Sequence, residues 1–194
     1  MMTCACGTRR AARQPAAGGS RPAWARSAVR WAGVVLFGLA ADAAGKAWAL
    51  AALRDGHRIT VAGGLVRLQL GTNNGAAFDI AAGYGPVLAV AGLAGVVLLG
   101  FWAARASSST EKFGAALAAG GAGGNLLDRL VRPPAALHGG VVDWLHVSFY
   151  GPTFNLADLW LRGGLLAAAG AWLWHHRHRP GGPARSGDGS PPGP

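Results

Sequence analysis

Two aspartates in the second half of the chain carry most of its chemical potential. Asp143 and Asp158 lie fifteen positions apart within VVDWLHVSFYGPTFNLADLW, residues 141–160, with Gly151 and Pro152 between them to turn the chain back. Two carboxylates that share one site cannot both ionise at low cost, so one of them keeps a proton. That supplies a general acid beside a general base, which together can activate water on an amide. Spacing alone fits a plainer arrangement better, with Asp143 in a loop and Asp158 capping the start of a helix.

Two further polar clusters sit where apolar residues would be expected. Asp42 and Lys46 interrupt an apolar run at i,i+4 spacing, which permits a neutralising ion pair on one helical face. The pair reads as structural, with a substrate-positioning or relay role as the alternative. In GGAGGNLLDRL, residues 120–130, Gly120 and Gly124 have the small-xxx-small spacing that lets helix backbones approach. Asn125, Asp128 and Arg129 follow as a polar patch, in which Asp128 can pair with Arg129 or another cation. The glycine spacing is not that of a dinucleotide fingerprint.

The elements that must position these residues are membrane helices. Only 13% of the 194 residues are charged, about half the usual share of a soluble protein, while 51% are hydrophobic. Residues 30–52, 84–104, 112–131 and 154–174 each approach the roughly 20 apolar residues needed to cross a bilayer. The second is clean, and the others hold the polar clusters. The net charge of +10 would suggest nucleic acid in a compact soluble domain, but its distribution argues otherwise. Arg9, Arg10, Arg13, Arg21, Arg26 and Arg30 precede or open the first run, and Arg177, Arg179 and Arg185 follow the last. With Arg105 and Lys112 they outnumber Arg54, Arg58, Arg67, Arg129 and Arg132 in the opposite set of connections, which places both termini in the cytoplasm. Trp24 and Trp31, Trp102, and Trp172 and Trp174 mark interfacial ends.

The expected fold class is therefore an all-α integral membrane protein of four transmembrane helices. A small extracytoplasmic β-containing insertion is expected between helices 1 and 2, from the loose alternation in ITVAGGLVRLQLGTNNGAAF. A basic, disordered cytoplasmic tail is expected over 1–27, a membrane domain over 28–176, and a Pro/Gly-rich basic tail over 177–194. Cys4 and Cys6 have no partners at zinc spacing and receive no role. The run from His175 to Arg179 reads as solvated surface charge rather than a metal site, and it favours anionic lipid.

The motifs, taken in order, resemble the lipoprotein signal peptidase (signal peptidase II) family. DAAGK at 42–46, NNGAAF at 73–78, GGAGGNLLDR at 120–129, VVDW at 141–144 and FNLAD at 154–158 match the family's D-x-x-x-K, N-x-G-A-A-F, G-N-x-x-D-R, V-V-D-F and F-N-x-A-D patterns. The resemblance covers about Arg30 to Trp174. It implies an intramembrane aspartyl protease of the bacterial cytoplasmic membrane, active near the extracytoplasmic face. Such an enzyme removes signal peptides from diacylglyceryl-modified prolipoproteins, cutting before the lipidated cysteine.

By this resemblance Asp143 and Asp158 are the catalytic pair, and no metal or organic cofactor is implied. Asn73, Gly75, Asn125, Asp128, Arg129 and Asn155 become the shell that holds substrate and orients the pair, while Asp42 and Lys46 tie the first helix to the bundle. The implied partners are prolipoproteins and membrane lipids, with no nucleic acid. Three residues depart from the pattern. Trp144 replaces a phenylalanine, Asp79 adds a carboxylate after NNGAAF, and Arg162 stands four residues beyond Asp158, on the face where it would lower that aspartate's pKa if they paired. Contact with Trp160 or a lipid phosphate is the alternative for Arg162. The rival reading is a non-catalytic four-helix membrane protein, either a degenerate prolipoprotein binder or a small transporter; a soluble nucleic-acid protein is a more distant third.

Overall fold

The four apolar runs are four α-helices. In the computed structural model, which describes residues 23–75 and 83–178, α1 spans Ala23–Ala52, α2 Gly85–Arg105, α3 Ser109–Val131 and α4 Leu156–Arg177. Each expected segment falls on its helix. The largest difference is at the start, where α1 begins at Ala23, so its first turns include residues that composition had assigned to the basic tail. Cys4, Cys6, Arg185, most of both tails, residues 76–78 of the NNGAAF run and Asp79 after it lie outside the described residues.

Local chemistry fixes the helix ends. Pro86 stands in the first turn of α2, where its missing N–H costs nothing. Ser108 caps α3 by accepting from the Glu111 backbone N–H at 3.1 Å. The buried Glu111 carboxylate accepts from the Ser107 N–H at 3.3 Å and from Trp102 Nε1 at 2.7 Å, which joins the end of α2 to the start of α3.

α3 is the central helix and packs on the other three. It can do so because its inward residues are small. A Cβ on Gly124 would lie 2.5 Å from Asp42 Oδ2 on α1, and one on Gly121 would lie 2.7 Å from the Leu161 backbone N on α4. Gly120 and Gly124 thus make the close approach expected of their spacing, and they make it to α1. The outward residues are large and apolar: Leu36 and Phe37 on α1, Val90, Leu93, Val97 and Leu98 on α2, and Leu166 on α4 are all exposed. α1 and α2 are long and apolar enough to cross a membrane.

One expectation about the sheet needs correction. A sheet does follow α1, with β1 at Arg58–Val61 and β2 at Val66–Asn73, but it is not confined to the connection between the first two helices. β3 (Val141–Val147) and β4 (Thr153–Phe154), from the connection between α3 and α4, complete an antiparallel sheet of order β1-β2-β3-β4. An isolated two-stranded hairpin is only marginally stable, and β3 covers the open edge of β2. The register pairs Gly71 with Asp143, Thr72 with Val142 and Asn73 with Val141, beyond an irregularity between Leu68 and Gly71. The β3–β4 turn passes through Gly151 at φ +89°, a left-handed conformation suited to glycine. The turn expected at Gly151 and Pro152 is therefore present.

Candidate active site

The sequence F-N-L-A-D builds the first turn of α4 as a reciprocal cap. Asn155 is the N-cap, its Oδ1 accepting from the Asp158 backbone N–H at 3.0 Å, while Asp158 Oδ2 accepts from the Asn155 N–H at 3.4 Å. The plainer sequence reading, Asp143 in a loop and Asp158 as the cap, is thus altered at both positions. Asp143 lies on β3, and the cap is Asn155 with Asp158 as its partner.

Two side-chain amides link the carboxyls. Asn155 is fully buried, and its Nδ2 donates to Asp143 Oδ1 at 2.7 Å and to Asn125 Oδ1 at 3.1 Å. Asn125 Nδ2 in turn donates to Asp158 Oδ1 at 3.0 Å. The orientation of the Asn125 amide follows from chemistry: Lys46 Nζ, which can only donate, sits 3.2 Å from Asn125 Oδ1, leaving Nδ2 to face Asp158.

Asp143 is 3% exposed. Burial, and next the negative charge of Asp158, push its pKa up to about 7, against the pull of hydrogen bonds from Asn155 and Asn73 and of the Lys46 charge. Asp143 therefore keeps its proton to a much higher pH than an ordinary carboxyl does. Asn73 stands at the end of β2 and also accepts, through Oδ1, from the Gly75 N–H at 2.9 Å.

The other two buried aspartates, Asp42 and Asp128, are held by cations. Lys46 Nζ lies 2.6 Å from Asp42 Oδ2 and 2.9 Å from Asp128 Oδ2, so the expected i,i+4 pair is present and extends to α3. Asp42 Oδ1 accepts from the Ala157 N–H at 2.9 Å, placing a carboxylate of α1 on the N-terminus of α4. Asp128 accepts from the Val142 N–H of β3 at 3.1 Å and takes Arg132, not Arg129, as its arginine, at 2.6 Å. Arg129 instead donates through Nη2 to the carbonyl of Gly75, and its Nη1 is buried without a hydrogen-bond partner among the described residues.

These residues border a pocket of about 200 Å³. Asn73, Gly75, Asn125, Arg129 and Asp158 line it, and Asp143 adjoins it, hydrogen-bonded to the lining Asn73 and, through Asn155, linked to Asn125 and Asp158. Asp42, Lys46 and Asp128 lie outside the lining and act on it through Asn125, Ala157 and β3. Sequence reasoning missed Tyr150, Thr153 and Phe154 as site residues, and they also line the pocket. Their signal was the Gly151–Pro152 turn, which brings SFYGPTF over the same site. Arg162 also lines the pocket, but among the described residues it makes no ion pair with Asp158; it donates to the hydroxyl of Tyr150. A neutral carboxyl, a second carboxyl in contact with the pocket, and several fixed amide donors are the components needed to hydrolyse an amide.

Comparison with known proteins agrees with this architecture. The family model described as Signal peptidase (SPase) II matches residues 34–173. A lipoprotein signal peptidase of Mycobacterium leprae is 41% identical over 121 residues, 62% of this chain and 59% of the relative. One of Mycolicibacterium smegmatis is 38% identical over 135 residues, 70% of this chain and 56% of the relative, and one of Mycobacterium avium is 40% identical over 129 residues, 66% and 70%. The chain thus spans somewhat under two thirds of the length of the first two. Two solved structures, described as bacterial membrane enzymes studied by the in meso method, share the fold. One has a TM-score of 0.69 at 21% identity, covering 83% of this chain and 95% of the other, and the second a TM-score of 0.60 at 23% identity, covering 77% and 93%. With a matched model that runs from the first helix through the last and takes in both aspartates, this chain belongs to the signal peptidase II family.

Proposed function

We propose that this chain is an intramembrane aspartic endopeptidase that removes signal peptides from diacylglyceryl-modified prolipoproteins, cutting before the lipidated cysteine. The observation that carries the reading is the meeting of Asp143 and Asp158 through Asn155 and Asn125, with burial and like charge keeping a proton on Asp143. Family membership supplies the substrate class.

In this reaction Asp158, in contact with the pocket, takes a proton from water as the water oxygen bonds to the scissile carbonyl carbon. Asp143 gives its proton to the carbonyl oxygen. Collapse of the tetrahedral intermediate breaks the C–N bond, the leaving nitrogen takes the proton from Asp158, and Asp143 regains its own from the intermediate's hydroxyl. Asn73, Gly75, Asn125 and Arg129 hold the substrate backbone, Asn155 and Asp128 fix the frame, and Asp42 with Lys46 locks α1 to it. Arg129 Nη1, buried and without a hydrogen-bond partner among the described residues, is suited to a substrate carbonyl.

All four helices span the bacterial cytoplasmic membrane in this reading. Both termini are cytoplasmic, the sheet and the carboxyl pair lie at the extracytoplasmic side, and lipid covers the exposed apolar faces. The exposed large side chains of α1, α2 and α4 and the distribution of basic residues support it. A non-catalytic binder would be favoured by Arg162 locked on Asp158, whereas Arg162 contacts Tyr150.

The test is a gel-shift assay with purified protein in detergent, using a diacylglyceryl-modified prolipoprotein and its unlipidated form. Cleavage of the lipidated form alone, lost in Asp158→Asn, is expected. Failure of correctly folded protein to cut either form overturns the reading.

A further inference from the structure

Arg162 and Tyr150 form a contact that the reaction does not use. Arg162 is exposed on α4, four residues beyond Asp158 and therefore its neighbour on the helix surface. An always-charged guanidinium at that spacing from a carboxylate ordinarily pairs with it. Here Nη1 donates to the Tyr150 hydroxyl, and the guanidinium carbon lies 5.7 Å from the centroid of the Tyr150 ring. Tyr150 belongs to the β3–β4 turn and is itself set edge-on against Phe154, with centroids 5.6 Å apart. Both partners line the pocket that Asp158 faces.

A cation on Asp158 would undo the arrangement around it. The groups that bear on this carboxyl are neutral amides or act at one remove. Asn125 of α3 and the Asn155 cap bond it directly, Asp143 faces it from β3, Lys46 of α1 reaches it through Asn125, and Arg129 of α3 shares the pocket wall. An ion pair with Arg162 would compete with the Asn125 amide and weaken Asp158 as a base. It would also neutralise the charge that helps keep the proton on Asp143.

We propose that Tyr150 is a positioning residue whose hydroxyl holds the Arg162 guanidinium at the pocket rim, and so keeps Asp158 free of a cation. This rests on the aspartic-peptidase reading. It differs from a packing role for Tyr150, because loss of the hydroxyl alone releases the arginine while the ring stays against Phe154.

The experiment compares the wild-type protein with Tyr150→Phe, Arg162→Leu and the double variant, reading cleavage of a lipidated prolipoprotein from pH 5 to 9 and the carboxyl ¹³C titration of labelled aspartate. In Tyr150→Phe the turnover falls about tenfold and both limbs of the pH profile move down by about one unit, as an added cation requires. The carboxyl titration moves with them. In the double variant the limbs return to their wild-type positions, because no guanidinium remains to be released. Unmoved limbs and titration in Tyr150→Phe overturn the proposal, as does a double variant that keeps the displaced limbs. If no variant cleaves, the titration still decides it: a downward shift in Tyr150→Phe reversed in the double variant upholds the arginine's placement while the peptidase reading fails.

Discussion

The fold holds two pairs of aspartates and treats them in opposite ways. Asp42 and Asp128 share Lys46, and Asp128 adds Arg132, so each carboxylate has a cation within 2.9 Å. Asp143 and Asp158 receive neutral amides from Asn155, Asn125 and Asn73. A cation favours the ionised form of a carboxylate and ties it to a partner, whereas an amide orients it and leaves its proton exchangeable. The first pair is thereby equipped to join helices, and the second to move protons. Lys46 connects the two by holding the Asn125 amide through its oxygen.

The difference is broken most directly at the second pair. Asp143→Asn and Asp158→Asn should each lower cleavage by more than about a thousandfold while the protein still inserts and melts cooperatively, since on the proposed mechanism each removes a proton-transfer group. Gel-shift rates with an intact thermal transition check this. At the first pair the cost should fall on the fold. Lys46→Met leaves Asp42 and Asp128 buried beside one another with only Arg132 to compensate, and should destabilise by about 3–5 kcal/mol in a denaturation series. A Lys46→Met protein of unchanged stability would reverse the roles assigned to the two pairs.

Proton uptake sharpens the contrast. The pKa of Asp143 is raised in the folded protein to about 7, so between roughly pH 4 and 7 the native state binds a proton that the unfolded chain has released. Stability carried by the neutral carboxyl is therefore present at low pH and declines as pH rises through that window, by up to about 4 kcal/mol. Cleavage should fall later, as pH rises through about 7 and Asp143 gives up its proton. Asp143→Asn should flatten that slope in melting curves taken from pH 5 to 8. The smallest effect belongs to the scaffold that both pairs share. Gly121→Ala pushes a methyl against the backbone of Leu161 and should cost about 1–3 kcal/mol, with a matching shift of α4 seen as reduced turnover.

Much of this was legible from residue order. The helices were, because runs of about 20 apolar residues have few other uses, and Asp42 with Lys46 was, because i,i+4 spacing leaves little choice of partner. Partners set by tertiary structure were not. Asp128 and Arg129 are adjacent in sequence and so diverge on a helix, while Arg132 at i,i+4 lies alongside, a distinction that spacing already contained. Arg162 shows the reverse: its spacing pointed to Asp158, and Tyr150 from another element claims it. The β2–β3 pairing joins strands nearly seventy residues apart, and no local pattern in VVDWLHV names its partner strand.

That pairing also sets the order of events in making the protein. Asp143 faces inward because β3 is aligned on β2 in one register, and a slip of one residue would turn it to the opposite side of the sheet. The groups that meet at the pair come from α1, β2, α3, β3 and the first turn of α4. No partial chain emerging from the ribosome can hold them together. The carboxyl pair comes into being as the last helix docks, so on the proposed mechanism a growing chain passes through the insertion machinery without working scissors of its own.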